Sequence, residues 1–436
     1  MFKVHRNNSG TTFLLAPATG ETYLLSESAW EQIYHTLKDN SCHSILDSIA
    51  NQNSSDNNNP SALRFFMIDL TSICSNRCSY CFRDLQHPKI ISSHTLNNIL
   101  NAIIAHCAEH SINKIQLQGW GGEPLLAWDK ICHIQASFEK AGIDARILVE
   151  TNGVSITPQI ATEMYQRGIV CSISIDGPQC IHDYCRRTIN GHGSYDNAIR
   201  GLNLLRDAGY GNRIGCVCVI TKSSLPHIEQ IINHLAYDLK FARVKLNIIK
   251  DSSQLLDKSL CISDDLLSEF WIKVLSTIIR INNSGVSFGE STILSMLHNL
   301  TTHRPMSFCY SKGCQAGHRM ISFDMDGNVY PCDQTDIKEL SIGNILNDSI
   351  SSLMKSSANN LQSFFALPLP DECSQCDWRA YCKGGCRTMR WLSHHPGHVD
   401  IATCVRNKTL YPLLIELILE KPDLITSISG NEIRFE

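Results

Sequence analysis

Cys74, Cys78 and Cys81 stand in one short stretch, ICSNRCSYCFRD, with the spacing C-x₃-C-x₂-C and no fourth cysteine close behind. Thiolate is the ligand form of cysteine, and gaps this short gather thiolates around one metal centre. A structural zinc or iron–sulfur shell is closed by four protein ligands, whereas a catalytic metal keeps a position open. Three thiolates can hold a cubane [4Fe–4S] cluster by three of its irons and leave the fourth open to a small molecule. A second field lies downstream, at Cys309, Cys314, Cys332, Cys373, Cys376, Cys382, Cys386 and Cys404. Eight thiolates divide evenly into two four-thiolate shells, as two closed iron–sulfur clusters require. Zinc is the alternative for the C-x₂-C pairs.

The chain carries 20 cysteines in 436 residues. In a small secreted protein these would form a disulfide framework, but this chain is large and its cysteines are grouped, which points to metal in a reducing compartment. The nine cysteines left over (42, 107, 132, 171, 180, 185, 216, 218 and 261) lie mostly in apolar patterns, where free cysteine acts as a small hydrophobe. The formal net charge of −4 gives no electrostatic footprint for nucleic acid or an anionic membrane. No apolar run reaches the ~18–20 residues that span a bilayer. Phe13–Pro17 is too short for a signal-peptide core and no cleavage site follows it, so the expected location is cytoplasmic.

The elements that must position these residues fall into three stretches. Residues 1–50 read as a small domain: TTFLLAPATGETYLL gives two strands around a turn at Ala18–Gly20, Ser26 caps a helix over 27–37, and 42–50 suggests a second helix. NQNSSDNNNPS, residues 51–61, has almost no apolar content and reads as a linker. From residue 62 to about 290, apolar β-branched runs recur at 66–71, 115–119, 146–151, 170–175, 214–220 and 243–249, with helical stretches at 95–109, 127–141, 158–167, 195–208 and 224–236 between them. Six such units predict an α/β fold built on a partial (β/α)₆ TIM-like barrel, with a doubly wound open sheet as the rival. In either, function gathers where strands end. Cys74, Cys78 and Cys81 follow the first strand, GWGGEP the second, ETNG the third and SIDGP the fourth, so all four segments are expected at one rim.

At that rim the sequence resembles the radical S-adenosylmethionine (radical SAM) superfamily, whose signature is C-x₃-C-x₂-C with an aromatic, here Tyr80, before the last cysteine. The resemblance implies that SAM binds the open iron and is cleaved to a 5′-deoxyadenosyl radical, which takes a hydrogen atom from the substrate. It implies SAM contacts for Gly121, Gly122, Glu123 and Pro124, with Glu123 accepting from the SAM ammonium, for Ser174 and Asp176 at the methionine part and ribose, and for Arg186 at the carboxylate. Core packing is the alternative for Tyr80 and a surface ion pair for Arg186.

The downstream field resembles the cysteine-rich SPASM domain, here placed at 291–436. From Cys314 it runs twelve residues to Gly327, four more to Cys332, then C-x₂-C-x₅-C-x₃-C and a lone cysteine. By that likeness Cys309, Cys314, Cys332 and Cys386 hold one auxiliary cluster and Cys373, Cys376, Cys382 and Cys404 another, making three [4Fe–4S] clusters with the SAM-binding one. Asp333, in VYPCD, matches an acid that serves as a base in sulfatase-maturing relatives; a turn-capping aspartate is the alternative. Residues 1–50 resemble the RiPP recognition element, a small winged-helix fold that binds a precursor's leader as an added strand, with TTFLLAP as the expected edge. Together these likenesses imply a peptide maturase that crosslinks a ribosomally made precursor, with flavodoxin or ferredoxin as reductant. An anaerobic sulfatase maturase and a non-catalytic electron carrier are the alternatives.

Overall fold

A computed structural model describes residues 3–31, 63–83, 87–249, 257–302, 309, 313–333, 338–393 and 398–429. The helix expected at 42–50, the linker at 51–61 and the end of the helix expected at 27–37 lie outside these residues. The chain divides into two compact units, one of residues 1–60, 264–314 and 368–436, the other of 61–263 and 315–367. Among the described residues no helix is long and apolar enough to cross a membrane.

In the first unit, strands β1 (Lys3–Arg6), β2 (Thr12–Leu15) and β3 (Thr22–Leu25) form an antiparallel sheet in that order. The predicted hairpin is β2–β3. Its turn closes through Gly20 N–H to Ala16 O at 2.7 Å, and Gly20 takes a φ of +77° that favours glycine. Ser26 caps the following helix, its Oγ accepting from Ala29 N at 3.3 Å. Leu14, Tyr23, Leu25 and Trp30 bury together.

TTFLLAP is not an edge. The sheet gains β1 outside it, with Lys3 opposite Leu15 and Arg6 opposite Thr12. The sequence KVHR lacks the apolar alternation that marks a strand, so this pairing was not legible. The sheet is tied into its unit by side chains: Asn7 Nδ2 donates to Leu419 O at 2.8 Å, Thr22 Oγ1 to Leu300 O at 2.8 Å and Tyr381 O–H to Gly20 O at 2.5 Å. Helix Ile401–Glu420, capped by Asp400, packs beside helix Leu267–Asn283, and its Tyr411 stacks on Trp378 and Tyr381.

In the second unit, β4 (Phe65–Thr71), β5 (Lys114–Gly121), β6 (Asp144–Thr151), β7 (Val170–Ser174), β8 (Gly215–Ile220) and β9 (Arg243–Ile248) lie side by side in chain order, every pair parallel. All six predicted strands are present. A doubly wound sheet would reverse its order part-way; this one does not, so the partial barrel is correct and its rival is not. Strand Met320–Phe323 extends the sheet as a parallel neighbour of β4, then turns through Gly327 (φ +84°) into strand Asn328–Tyr330. The glycine that spaces Cys314 from Cys332 is thus a hairpin turn, and Asp324 holds that turn by accepting from Asp326 N and Asn328 N, each at 2.9 Å.

Candidate active site

The cysteine loop leaves the end of β4 and is held by the loop that leaves β5. Gly122 N donates to Thr71 O at 2.6 Å and Glu123 N to Ile73 O at 2.8 Å. Glycine is required twice here. A Cβ on Gly121 would fall 2.2 Å from Thr71 O, and one on Gly122 2.4 Å from Ile73 O. Only bare backbone lets the two loops touch, and that contact fixes where Cys74, Cys78 and Cys81 stand.

Glu123 is 1% exposed and turns its carboxylate inward. It accepts from Thr151 Oγ1 at 2.7 Å, Asn152 N at 2.8 Å and Leu125 N at 3.2 Å. Burial holds its pKa above the ordinary carboxylate value, against the pull of these bonds. The residue joins the end of β5 to the end of β6, and Pro124 opens the single helical turn that follows. Asn152 completes the junction by donating to Cys74 Sγ at 3.6 Å and Ser75 Oγ at 3.2 Å. It lies in ETNG, a segment flagged by its place at the rim, but no residue type announced a thiol donor.

Asp176 and Arg186, 3% and 7% exposed, form a buried ion pair with Nε to Oδ2 at 2.9 Å. The Tyr80 hydroxyl donates to the same oxygen at 2.5 Å, Val219 N donates to Oδ1 at 2.9 Å, and the Arg186 guanidinium lies 5.5 Å from the Tyr80 ring centre. Arg186 Nη1 reaches within 4.0 Å of Cys78 Sγ. Arg186 is therefore a buried pair, not a surface one. Ser174, half-buried, ends β7 beside this group. Behind it, His182 Nδ1 accepts from Asp176 N at 3.2 Å, so its Nε2–H donates to Ser194 Oγ at 3.0 Å; burial lowers its pKa to about 4 and keeps it neutral.

Burial pushes the Cys78 thiol up to about 12, and Cys74 rises for the same reason. Each of these two thiols is raised further by its cysteine neighbours, so the three sulfurs share one locale. Such thiols ionise when a cationic centre takes them as ligands, a donor set that fits an iron–sulfur cluster.

Asp176→Asn is expected to destabilise the second unit by about 3–5 kcal/mol, because Arg186 stays buried without its carboxylate. Urea denaturation of the variant and the parent, with Arg186 and Asp176 replaced together as the third arm, checks this.

Of the downstream cysteines, Cys373, Cys376, Cys382 and Cys404 line one cavity of about 310 Å³ in the first unit. Burial raises Cys373 to about 11, and the other three thiols add to it. Of the other expected set, Cys309, Cys314 and Cys386 belong to the first unit and the buried Cys332 to the second.

Asp333 lines a cleft of about 240 Å³ in the second unit with Asp69, Arg83, Trp120, Asp324 and Tyr330. Arg83 Nη1 pairs with Asp69 Oδ2 at 3.0 Å and its guanidinium lies 5.2 Å from the Trp120 ring. Among the described residues the buried Trp120 indole N–H has no hydrogen-bond partner.

Residues 68–235 match the radical SAM superfamily, and residues 314–377 match the SPASM iron–sulfur cluster-binding domain. The chain carries a radical SAM domain and a SPASM domain. It is similar to the cysteine-type anaerobic sulfatase-maturating enzyme of Clostridium perfringens (strain 13), 22% identical over 73% of this chain and 87% of that protein. Among solved structures, anSMEcpe with bound AdoMet and the Cp18Cys peptide aligns at TM-score 0.69 and 19% identity over 82% of this chain and 99% of its own. Streptococcus suis SuiB bound to precursor peptide SuiA aligns at TM-score 0.56 and 15% identity over 92% of this chain and 100% of its own. These two likenesses show the fold. The radical SAM domain holds the whole network from Cys74 to Arg186, and such domains imply [4Fe–4S] clusters and SAM.

Proposed function

We propose that the chain is a radical SAM/SPASM maturase of a ribosomally made precursor peptide, leaving a carbon–carbon or thioether crosslink in its core. The observation that carries this reading is the sheet β1–β3, which lies outside both matched domains and ends in an exposed strand, β1. An extended leader adds to such an edge through main-chain hydrogen bonds. SuiB, bound to a precursor peptide, aligns over 92% of this chain, against 81–85% for structures of anSMEcpe.

Three [4Fe–4S] clusters are assigned to the three cysteine sets, and the first cluster with bound SAM would supply the 5′-deoxyadenosyl radical chemistry for hydrogen abstraction. Cys74, Cys78 and Cys81 hold that cluster. The Gly121–Glu123 turn offers its backbone to the SAM ammonium, with Glu123 setting the turn. Asp176 takes Arg186 by Nε, and Nη1 lies near Cys78 Sγ, which leaves Nη2 as the donor for the SAM carboxylate. Trp120 N–H offers a donor to a peptide carbonyl at the Asp333 cleft. A flavodoxin or ferredoxin supplies the electron.

A sulfatase-maturase reading is favoured by Asp333 in its cleft and by the Clostridium perfringens relative. The two are separated by incubating the reconstituted chain, SAM and reductant with peptides from adjacent reading frames and with a sulfatase peptide. A crosslinked product that does not react with hydrazide supports the first reading. A hydrazide-reactive formylglycine aldehyde overturns it.

The leader mode makes its own prediction. Asn7 N donates to Thr11 O at 3.1 Å across the β1–β2 turn, and in an antiparallel ladder such residues alternate. His5 and Lys3 therefore face β2, while Val4, 49% exposed, turns its N–H to the free edge. Val4→Pro removes an outward donor and leaves the β1–β2 ladder in place. It is expected to weaken binding of labelled precursor about tenfold, the worth of one lost hydrogen bond at a docking edge. Equal affinities would detach the sheet from leader binding.

A further inference from the structure

Arg390 is 4% exposed, in helix Arg387–Leu392, and its backbone N–H donates to Cys386 O at 3.1 Å. Its guanidinium donates to three carbonyls: Nε to His398 O at 3.0 Å, Nη1 to Lys383 O at 3.4 Å, and Nη2 to Pro368 O. Among the described residues it has no carboxylate partner. A guanidinium cannot shed its proton, and a buried charge without a counter-charge costs several kcal/mol. Carbonyl dipoles satisfy its N–H groups but leave its charge unbalanced.

The missing charge lies across a glycine. Gly384 lines the cavity ringed by Cys373, Cys376, Cys382 and Cys404, and a Cβ there would fall 2.8 Å from Arg390 Nη1. The absent side chain lets the guanidinium press on the cavity wall from behind. Cys373 and Cys382 also pull its pKa upward, against burial, which lowers it. The cations that line the cavity, Arg379 and Lys408, stand nearer solvent, while Arg406, 7% exposed, is a second buried cation and acts on Cys382.

We propose that Arg390 is a buried counter-charge of the Cys373–Cys376–Cys382–Cys404 thiolate set, together with Arg406, and raises the reduction potential of the cluster those thiolates would hold. The proposal rests on the cluster assignment above. Reduction adds one negative charge to a site already rich in thiolate, and a fixed cation in low dielectric favours that form. Arg390 acts through the cluster and is a positioning residue.

The test uses the full chain, reconstituted without oxygen, as parent, Arg390→Gln and Arg390→Lys, with iron counted and reduction followed by EPR in a potentiometric titration. At a fixed potential near the parent midpoint, Arg390→Gln is expected to show a tenfold lower reduced-to-oxidised ratio for this cluster, a fall of about 59 mV for one electron. Arg390→Lys keeps the charge but not the fork that serves three carbonyls, and is expected to hold full iron at the parent midpoint. An unchanged midpoint in Arg390→Gln overturns the proposal. If Arg390→Gln fails to assemble, Arg390→Lys decides: full iron and the parent midpoint support a charge role, and failure there overturns it in favour of a carbonyl clamp. Replacing Cys373 and Cys382 with alanine tests the cluster separately, since iron loss there establishes it whatever Arg390 does, and no loss overturns both readings.

Discussion

Replacing Cys74, Cys78 and Cys81 together with alanine is expected to abolish SAM cleavage and to remove about one third of the iron from the reconstituted chain, four of roughly twelve atoms. The loss should be confined to chemistry. The cysteine loop is held by Gly122 N to Thr71 O, Glu123 N to Ile73 O and Arg77 N to Arg187 O, none of which uses a thiol. The variant should therefore keep its fold, its remaining iron and its affinity for precursor, while 5′-deoxyadenosine formation falls to background by chromatography. Survival of SAM cleavage in the triple variant would overturn the assignment of this loop. Loss of all the iron would mean that the three sets assemble as one unit.

Why was this loop so plain in the sequence, and other parts of the site not? The cysteines, the glycine turn and the strand ends are short-range features, fixed by spacing along the chain. Period and β-branching likewise placed all six strands of the second unit, because parallel strands buried on both faces read as continuous apolar runs. Glu123 shows where this stops. Its type suggested a ligand for an ammonium, yet its carboxylate grips Thr151 and Asn152, some thirty positions along the chain. Asn152 at Cys74 and Arg390 behind Gly384 were silent for the same reason: a polar side chain gains its role from a partner that folding brings to it. Strand β1 was missed because Lys3–Arg6 holds a single apolar residue, Val4, and owes its pairing to β2. Strand Met320–Phe323 was missed because the cysteine spacing around it drew attention to ligands, although MISF is apolar at three of its four positions and buried beside β4.

Asp333→Asn is expected to leave 5′-deoxyadenosine formation intact while cutting modified peptide by a factor of ~10²–10⁴, the usual worth of a general base. Asp333 is chosen for its place in VYPCD; in the same cleft Asp69 holds Arg83, and Asp324 holds Asn328, Tyr330 and the hairpin turn. Asp333 stands at the end of that hairpin, one residue beyond Cys332, on the wall it shares with Trp120 and Arg83. A substrate carbon that has lost a hydrogen atom becomes more acidic at its neighbouring heteroatom, and a carboxylate there would take that proton while one electron passes to an auxiliary [4Fe–4S] cluster, the oxidant of the proposed function. Asparagine keeps the shape and one acceptor oxygen but cannot take that proton. Radical formation should continue uncoupled from product, so the ratio of 5′-deoxyadenosine to modified peptide, read by mass spectrometry in one reaction, should rise by the same factor. Equal loss of both products would mean that Asp333 supports the site's structure and is not its base. An unchanged ratio with full activity would move the proton acceptor to another group on the cleft wall.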